Sequence, residues 1–314
     1  MIVNTHYPYI DYRHSDSYLT ISSTHSFSLV YNYASYAPLI YYSTDASNWT
    51  MVKTGDTINS SSTGYLFLRG SNNTSLTGGS YTINPLFSCT SSNISVDGNI
   101  ETLLDYETVQ RGSHPTAANY CFCALFRGWS GLVKGPELPL TTIPAWGCSD
   151  MFLNCTSLRT APELPATTLG SRSYNGMFAG CSSLTTAPEL PAMVLEDSCY
   201  IGMFARCTSL TIAPSLPATT LRYGCYEQMF EDCTSLTTIP NLPATNVASQ
   251  AYMSMFEGCT GVKISQTQTS TYKNAYYIGS GTSDSFSLMF WQTGGTFTGT
   301  PTGNTTYYTS NTVI

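Results

Sequence analysis

Five cysteines recur at a fixed step in this chain: Cys155, Cys181, Cys207, Cys233 and Cys259 each lie 26 residues after the last. Thiols in such a column can bind a soft metal, close disulfides or pack as small apolar groups. Zinc-ligand spacing is not met, because CxxC is absent, Cys121 and Cys123 are the one close pair, and no histidine lies near a cysteine in sequence. If neighbouring repeats stack at a strand spacing of roughly 5 Å, disulfides are within geometric reach. Cys199 with Cys225 and Cys207 with Cys233 are the pairs to inspect. The reading adopted is of buried, reduced cysteines that serve as small hydrophobes and weak hydrogen-bond partners. Glu137, Glu163 and Glu189 form a second column, where like charges repel unless splayed into water or bridged by a cation. Acid–base catalysis needs two carboxylates in different environments, and identical repeats supply identical ones. These glutamates read as solvated surface, with a weak calcium site or a cationic partner as the alternative. The four histidines, His6, His14, His25 and His114, accompany no nucleophile motif, and GxSxG, P-loop and GxGxxG strings are absent. No catalytic residue, cofactor or metal ligand is nominated, and the chain is read as a non-enzyme.

The elements that hold these columns are repeats of the same 26-residue step. Met151-Phe152 recurs as Met177-Phe178, Met203-Phe204, Met229-Phe230 and Met255-Phe256, with Leu125-Phe126 as a divergent first copy whose cysteine position is Trp129. Leu158, Leu184, Leu210 and Leu236 form a further column, and Pro136, Pro162, Pro188, Pro214 and Pro240 another. The Met-Phe, Cys and Leu columns are the expected repeat core. Tyr200, Met203, Phe204 and Cys207 fall at i, i+3, i+4 and i+7, which predicts a short amphipathic helix with its apolar face inward. The run from Thr211 to Pro214 is expected to be extended, since proline biases its predecessor away from helix. One such unit cannot bury its own apolar side, and repeats of this length signal a stacked solenoid.

The strings from Met177 to Leu195 and from Met203 to Leu221 resemble the BspA-like leucine-rich repeats of surface proteins from gut Bacteroidales, and similar strings in structural proteins of their tailed, crAss-like phages. Segments 42–50, 93–100 and 293–301 resemble elements found around those repeats. The pattern departs where Met193-Val194 replaces the usual Thr pair, and where Ser215 and Asn241 replace the Glu of the PELP string. Alternating stretches such as Phe27, Leu29, Tyr31 and Tyr33, then Tyr65 and Phe67, between Gly, Asn and Ser clusters read as an N-terminal antiparallel β-sandwich-like domain. With the resemblance, the class expected is mixed β/α, that domain followed by a right-handed leucine-rich-repeat-like solenoid of 26-residue coils with end caps. The expected divisions are a docking domain at 1–90, an N-terminal cap at 91–124, the solenoid at 125–262, and a C-terminal cap and β-rich tail at 263–314. Ile100, Leu103 and Leu104 suit a capping helix, and Met289-Phe290 looks like a last, displaced box. The stretch from Gly299 to Ile314 is expected to offer an edge strand open to another chain.

Composition narrows the role. Only 10% of residues are charged, the net charge is −7, and no cluster of Lys and Arg exists to neutralise a row of phosphates, so nucleic-acid binding is not expected. No segment approaches the roughly 18 apolar residues of a membrane span. Residues 1–19 do not read as a secretory leader, and the expectation is synthesis and first folding in a cytoplasm. Tyr174, Tyr200, Tyr226 and Tyr252 share one column and are expected to pack with their hydroxyls at the rim. Tyr7, Tyr9, Tyr12, Tyr41, Tyr42, Tyr276, Tyr277, Tyr307 and Tyr308 lie outside the register. They are the nominated interaction surface, with plain sheet cover as the competing reading. The function expected is that of a phage fibre or decoration protein located on the virion. Its partners would be capsid or tail components, a host surface protein or glycan, and further copies of itself. A secreted bacterial adhesin on the cell surface is the alternative, and a virion-borne glycan-degrading enzyme is the third reading.

Overall fold

The computed structural model describes residues 18–32, 38–77 and 85–314. Its first strands are β1 (Leu19–Ser22), β2 (Ser28–Tyr31), β3 (Ile40–Ser43), β4 (Thr50–Met51), β5 (Thr57–Asn59), β6 (Tyr65–Gly70), β7 (Phe87–Ser88) and β8 (Ile94–Asp97). One α-helix, α1 (Thr102–Gln110), and strand β9 (Leu132–Lys134) follow. Six of the strands form an open sheet in the order β4-β3-β6-β1-β8-β9, and three form another in the order β5-β2-β7. Side chains alternate across a strand, so Leu19, Ile21, Leu66 and Leu68 of the larger sheet and Leu29, Tyr31, Ile58 and Phe87 of the smaller are all buried in one continuous core.

The expected sandwich at 1–90 is corrected by this topology. The larger sheet is completed by β8 and by β9, which pair in parallel and carry the sheet into the repeat region. Trp129 of the first repeat donates its indole Nε1–H to the Phe87 carbonyl at 2.8 Å, tying the smaller sheet to the same junction.

The mixed β/α leucine-rich-repeat solenoid is corrected as well. Among the described residues the only α-helix is α1, nine residues long and kinked at Asp105; the rest is small β-sheets, turns and one 3-10 turn at Ser283–Phe286. The Met-Phe boxes are not helical. Every fourth residue through them has a left-handed backbone: φ is +57°, +59° and +74° at Arg172, Gly176 and Gly180, and +60°, +55° and +60° at Ser198, Gly202 and Arg206. An α-helix would send each N–H to the carbonyl four residues back. Here the amides alternate between two other destinations. Tyr174, Gly176, Phe178 and Gly180 donate to Cys199, Ile201, Met203 and Ala205 of the next unit at 2.8–2.9 Å. Between them Asn175, Met177, Ala179 and Cys181 donate three residues back at 3.0–3.3 Å. A chain of four-residue turns puts positions i and i+4, and i+3 and i+7, on one side, so the apolar spacing that predicts a helix fits this conformation equally well.

Residues 26 apart therefore meet. The Phe rings from Phe126 through Phe152, Phe178, Phe204, Phe230 and Phe256 to Phe290 stack with centroids 5.4–6.1 Å apart and planes within 2–16°. Tyr174, Tyr200, Tyr226 and Tyr252 stack likewise and are fully buried. Such pairs contribute about 0.5–1.5 kcal/mol each beyond their burial. Each thiol of the cysteine column donates to the Phe carbonyl of the preceding unit, from Cys155 to Phe126 at 3.1 Å through Cys259 to Phe230 at 2.8 Å. Two-residue parallel strands line the outside, as where β10 (Thr142–Ile143) pairs with β11 (Thr168–Leu169). Later come β12 (Thr238–Ile239) and β13 (Asn246–Val247).

Beyond Cys259 the chain loops out through β14 (Lys263–Ser265), β15 (Asn274–Ile278) and β16 (Ser280–Gly281), and the ladder resumes where Phe256 N–H donates to the Met289 carbonyl at 3.0 Å. The last strands, β17 (Gly294–Gly295), β18 (Thr305–Thr309) and β19 (Thr312–Val313), fold back. β18 lies between β15 and β14, and β19 runs parallel to β12. The expected open edge at 299–314 is thus occupied within the chain. Asn311 fastens it: its Nδ2 donates to the carbonyls of Thr237 and Gly261, and its Oδ1 accepts from Lys263 N–H.

The left-handed positions yield a paired test. A Cβ at Gly128 (φ +76°) would meet nothing within 4 Å, whereas one at Gly258 (φ +71°) would lie 2.1 Å from Asp232 Oδ1 in the preceding unit. Gly128→Ala should cost about 1–2 kcal/mol for the backbone alone, and Gly258→Ala should cost more. Urea melts of both variants measure this, and equal losses would show that the side chain facing Gly258 gives way freely.

Candidate interaction surface

The cysteine column is interior. All eleven cysteines are free and buried, the Cys199/Cys225 and Cys207/Cys233 pairs included. Burial pushes the Cys121, Cys123 and Cys225 thiols up to about 12. It raises those of Cys181, Cys207, Cys233 and Cys259 well above the ordinary thiol range. Among the described residues no group of three or more His, Cys, Asp or Glu converges on a common point, and no helix is long and apolar enough to cross a membrane. Glu137 and Glu163 are exposed along a groove of about 490 Å³ floored by Pro136, Pro139, Pro162 and Pro165, where Lys134 pairs with Asp97. Glu189 is exposed outside that groove. His114 Nδ1 lies 2.7 Å from the buried Glu101 carboxylate, and His25 Nδ1 lies 2.9 Å from Thr24 Oγ1. His6 and His14 fall outside the described residues.

The nominated tyrosines divide. Tyr7, Tyr9 and Tyr12 lie outside the described residues. Tyr276 and Tyr307 are corrected to core residues, each 1% exposed. Tyr276 donates its hydroxyl to the Pro240 carbonyl at 3.1 Å, and burial pushes its ionisation well up. The Tyr307 ring meets Phe290 and Phe297 edge-on, and its hydroxyl accepts from Thr302 N–H at 2.8 Å. Their sequence neighbours face the other way: Tyr277 is exposed and bonds Asn304 at 2.7 Å, and Tyr308 is half-buried. The same alternation puts Tyr42 against the core and Tyr41 on the outer face of the larger sheet. In a strand, adjacent residues point to opposite faces, so each Tyr-Tyr pair can offer one ring to a partner.

That outer face holds a cluster which sequence reasoning did not single out. Arg69 of β6 has its guanidinium carbon 4.0 Å from the Trp49 ring centroid and 4.1 Å from that of Tyr106 on α1. The cation lies within cation–π distance of both rings. Tyr41 pairs with Arg69 across one strand boundary and with Met51 across the next, so all three share a face. Met51 is 43% exposed, and so is Leu39, two residues before Tyr41. The Arg69 Nε is buried without a hydrogen-bond partner, and no carboxylate among the described residues pairs with this arginine.

The turn before Trp49 is set by Asp45. Its carboxylate accepts from Asn48 N–H at 2.8 Å, Asn48 Nδ2 at 2.8 Å, Ser47 N–H at 2.9 Å and Ser43 Oγ at 2.9 Å, and Ala46 takes φ +58°. Those bonds, the Asn48 amide first, hold the Asp45 carboxyl well below the usual carboxylate range. The detectable signal in sequence was the Asp/Ser/Asn turn; nothing local tied Trp49 to Arg69 or Tyr106.

No family model matches the chain, and no curated protein or solved structure matches it either.

Two measurements check this geometry. A thiol reagent such as dithionitrobenzoate should leave the native protein unlabelled over minutes and titrate eleven thiols once it is denatured; rapid native labelling would contradict an interior column. For Asp45, depression of the folded ionisation means its contribution is complete above the unfolded value of about 4 and is lost as pH falls toward the folded one. The stability difference between the wild type and Asp45→Asn should therefore be largest at neutral pH and shrink steadily below about pH 4, as read by denaturant melts. A difference independent of pH would assign the effect to shape and not to charge.

Proposed function

We propose that this chain is a non-catalytic structural protein of a phage particle, of the fibre or decoration type, that displays its repeat stack to a host surface protein or glycan and acts in several copies. The observation that carries this reading is the division of chemistry between the inside and outside of the repeats. Thiols, the Met-Phe boxes and the stacked Phe and Tyr columns are interior, while rows of hydroxyls lie outside. Thr141-Thr142, Thr167-Thr168, Thr219-Thr220, Thr245 and Ser280 are all exposed along successive units, interrupted by exposed Met193 and Val194. Further hydroxyls bond to carbonyls of the unit before, as Thr237 does to Thr211 at 3.2 Å and Thr260 to Thr234 at 3.5 Å. Beside the exposed glutamates, hydroxyl rows of this kind are regular and suit many weak polar contacts multiplied by copy number. The resemblance of the repeat strings to BspA-like repeats of gut bacteria and their phages supports the same reading.

Mass spectrometry of purified, nuclease-treated particles should find the chain at many copies per particle, and antibodies against it should decorate intact particles. Recovery from envelopes of uninfected bacteria alone would replace this reading with that of a cell-surface adhesin. Release of reducing ends from a polysaccharide by the purified chain would remove the non-catalytic part.

A further inference from the structure

We propose that the Arg69 cluster is a docking site for an acidic segment of a protein partner, whose Asp or Glu carboxylate is taken by the outer edge of the guanidinium. This deepens the reading of the chain as a particle component and rests on it for the class of partner. The geometry argues for the ligand's chemistry. The guanidinium carbon lies over both the Trp49 and the Tyr106 ring, contacts that use the cation's charge and leave its terminal N–H donors to bind. Those donors are parallel and match a carboxylate bidentately. Four other cations among the described residues pair with acids: Arg111 with Glu107, Arg127 with Asp150, Lys134 with Asp97 and Arg222 with Glu196. Among the same residues Arg69 has no acid partner, and because its Nε is buried while the residue is partly exposed, its terminal nitrogens are the donors left for an incoming acceptor. The rings also fix the side chain in advance, so less rotamer freedom is lost on binding.

The surroundings argue for protein over sugar. Met51 on the edge strand β4, Tyr41 on β3 and Leu39 just before β3 form an apolar collar beside the cation. Trp, Tyr, Met and Arg are the residues enriched at protein interfaces, with charge confined to a few anchors. A pyranose would need an open aromatic face, whereas Trp49 is engaged by Arg69 and, at 5.7 Å, by Tyr18.

The test uses the full chain labelled with nitrogen-15, with the Arg69 Nε–H resonance as reporter. Three probes are titrated: a capped heptapeptide with one central Glu flanked by leucines, the same peptide with Gln, and a glucuronate disaccharide. The Glu peptide should shift the reporter saturably and bind at least tenfold more tightly than the Gln peptide or the sugar. Arg69→Lys should lose most of that preference. Because Arg69 variants alter the cluster itself, Met51→Glu supplies a second reading: it adds a like charge at the exposed collar and should weaken the Glu peptide tenfold with the reporter otherwise unmoved. Equal binding of the Glu and Gln peptides, absence of saturation, or tighter binding of the disaccharide would each overturn the proposal. Particle association separates the two readings. Met51→Glu chains that still assemble fully on particles would sink the docking site and leave the virion assignment standing. A wild-type chain missing from particles, with peptide selectivity intact, would do the reverse.

Discussion

Buried backbone amides have to be hydrogen-bonded, and in the repeats about every second one finds its acceptor only in the next unit, as Phe178 does in Met203 and Phe204 in Met229. A single unit is therefore incomplete in its hydrogen bonds as well as in its apolar burial. Neither deficit can be met locally, so each unit depends on its neighbours, and the two ends of the stack need partners of other origin. At the start, Tyr120 already donates to Ala145, and β8 supplies the missing strand to β9. At the finish, β19 lies on β12 while Asn311 takes the carbonyls of Thr237 and Gly261. The fold of the flanks follows from what the repeats leave unsatisfied.

The same stacking decides which side chains a column can hold, because each residue faces its own counterpart. Flat rings tolerate this, and so do thiols that donate to a carbonyl. Charges tolerate it only at the surface, which agrees with a chain of 10% charged residues. Where a polar side chain leans across units, its neighbour is stripped: Asp150 faces Gly176, Asn154 faces Gly180 and Asp232 faces Gly258, with no room for a Cβ. Glu231 shows the cost of breaking the rule. Burial raises its carboxyl, and Glu257 in the equivalent position of the next unit raises it further.

The period, the columns and their burial were legible in the sequence because a 26-residue repeat writes itself into residue identity. The backbone conformation was not. Tyr200, Met203, Phe204 and Cys207 satisfy both a 3.6-residue helix and a train of four-residue turns, and the distinguishing feature lies at left-handed positions occupied by Arg172, Ser198 and Gln250 as readily as by glycine. These residues adopt that backbone because inter-unit hydrogen bonds outweigh a local preference of about 1–2 kcal/mol. The buried tyrosines erred for a different reason. Abundance suggested an interface, but strand alternation halves the accessible rings, and Tyr276 and Tyr307 were the inner halves.

Arg69 shows why recognition chemistry is harder to read than architecture. Its partners come from a hairpin turn, a strand and a helix far apart in sequence, and no periodicity joins them. Yet its position is not independent of the repeats. β6, β1, β8 and β9 are successive neighbours in one sheet, so the cluster stands three strand spacings, roughly 14 Å, from the first unit of the stack. A hydrogen-bonded sheet transmits orientation where a linker would not. A partner held at Arg69 would thereby set the direction in which the hydroxyl rows point, and a rigid stack multiplies that constraint along its length.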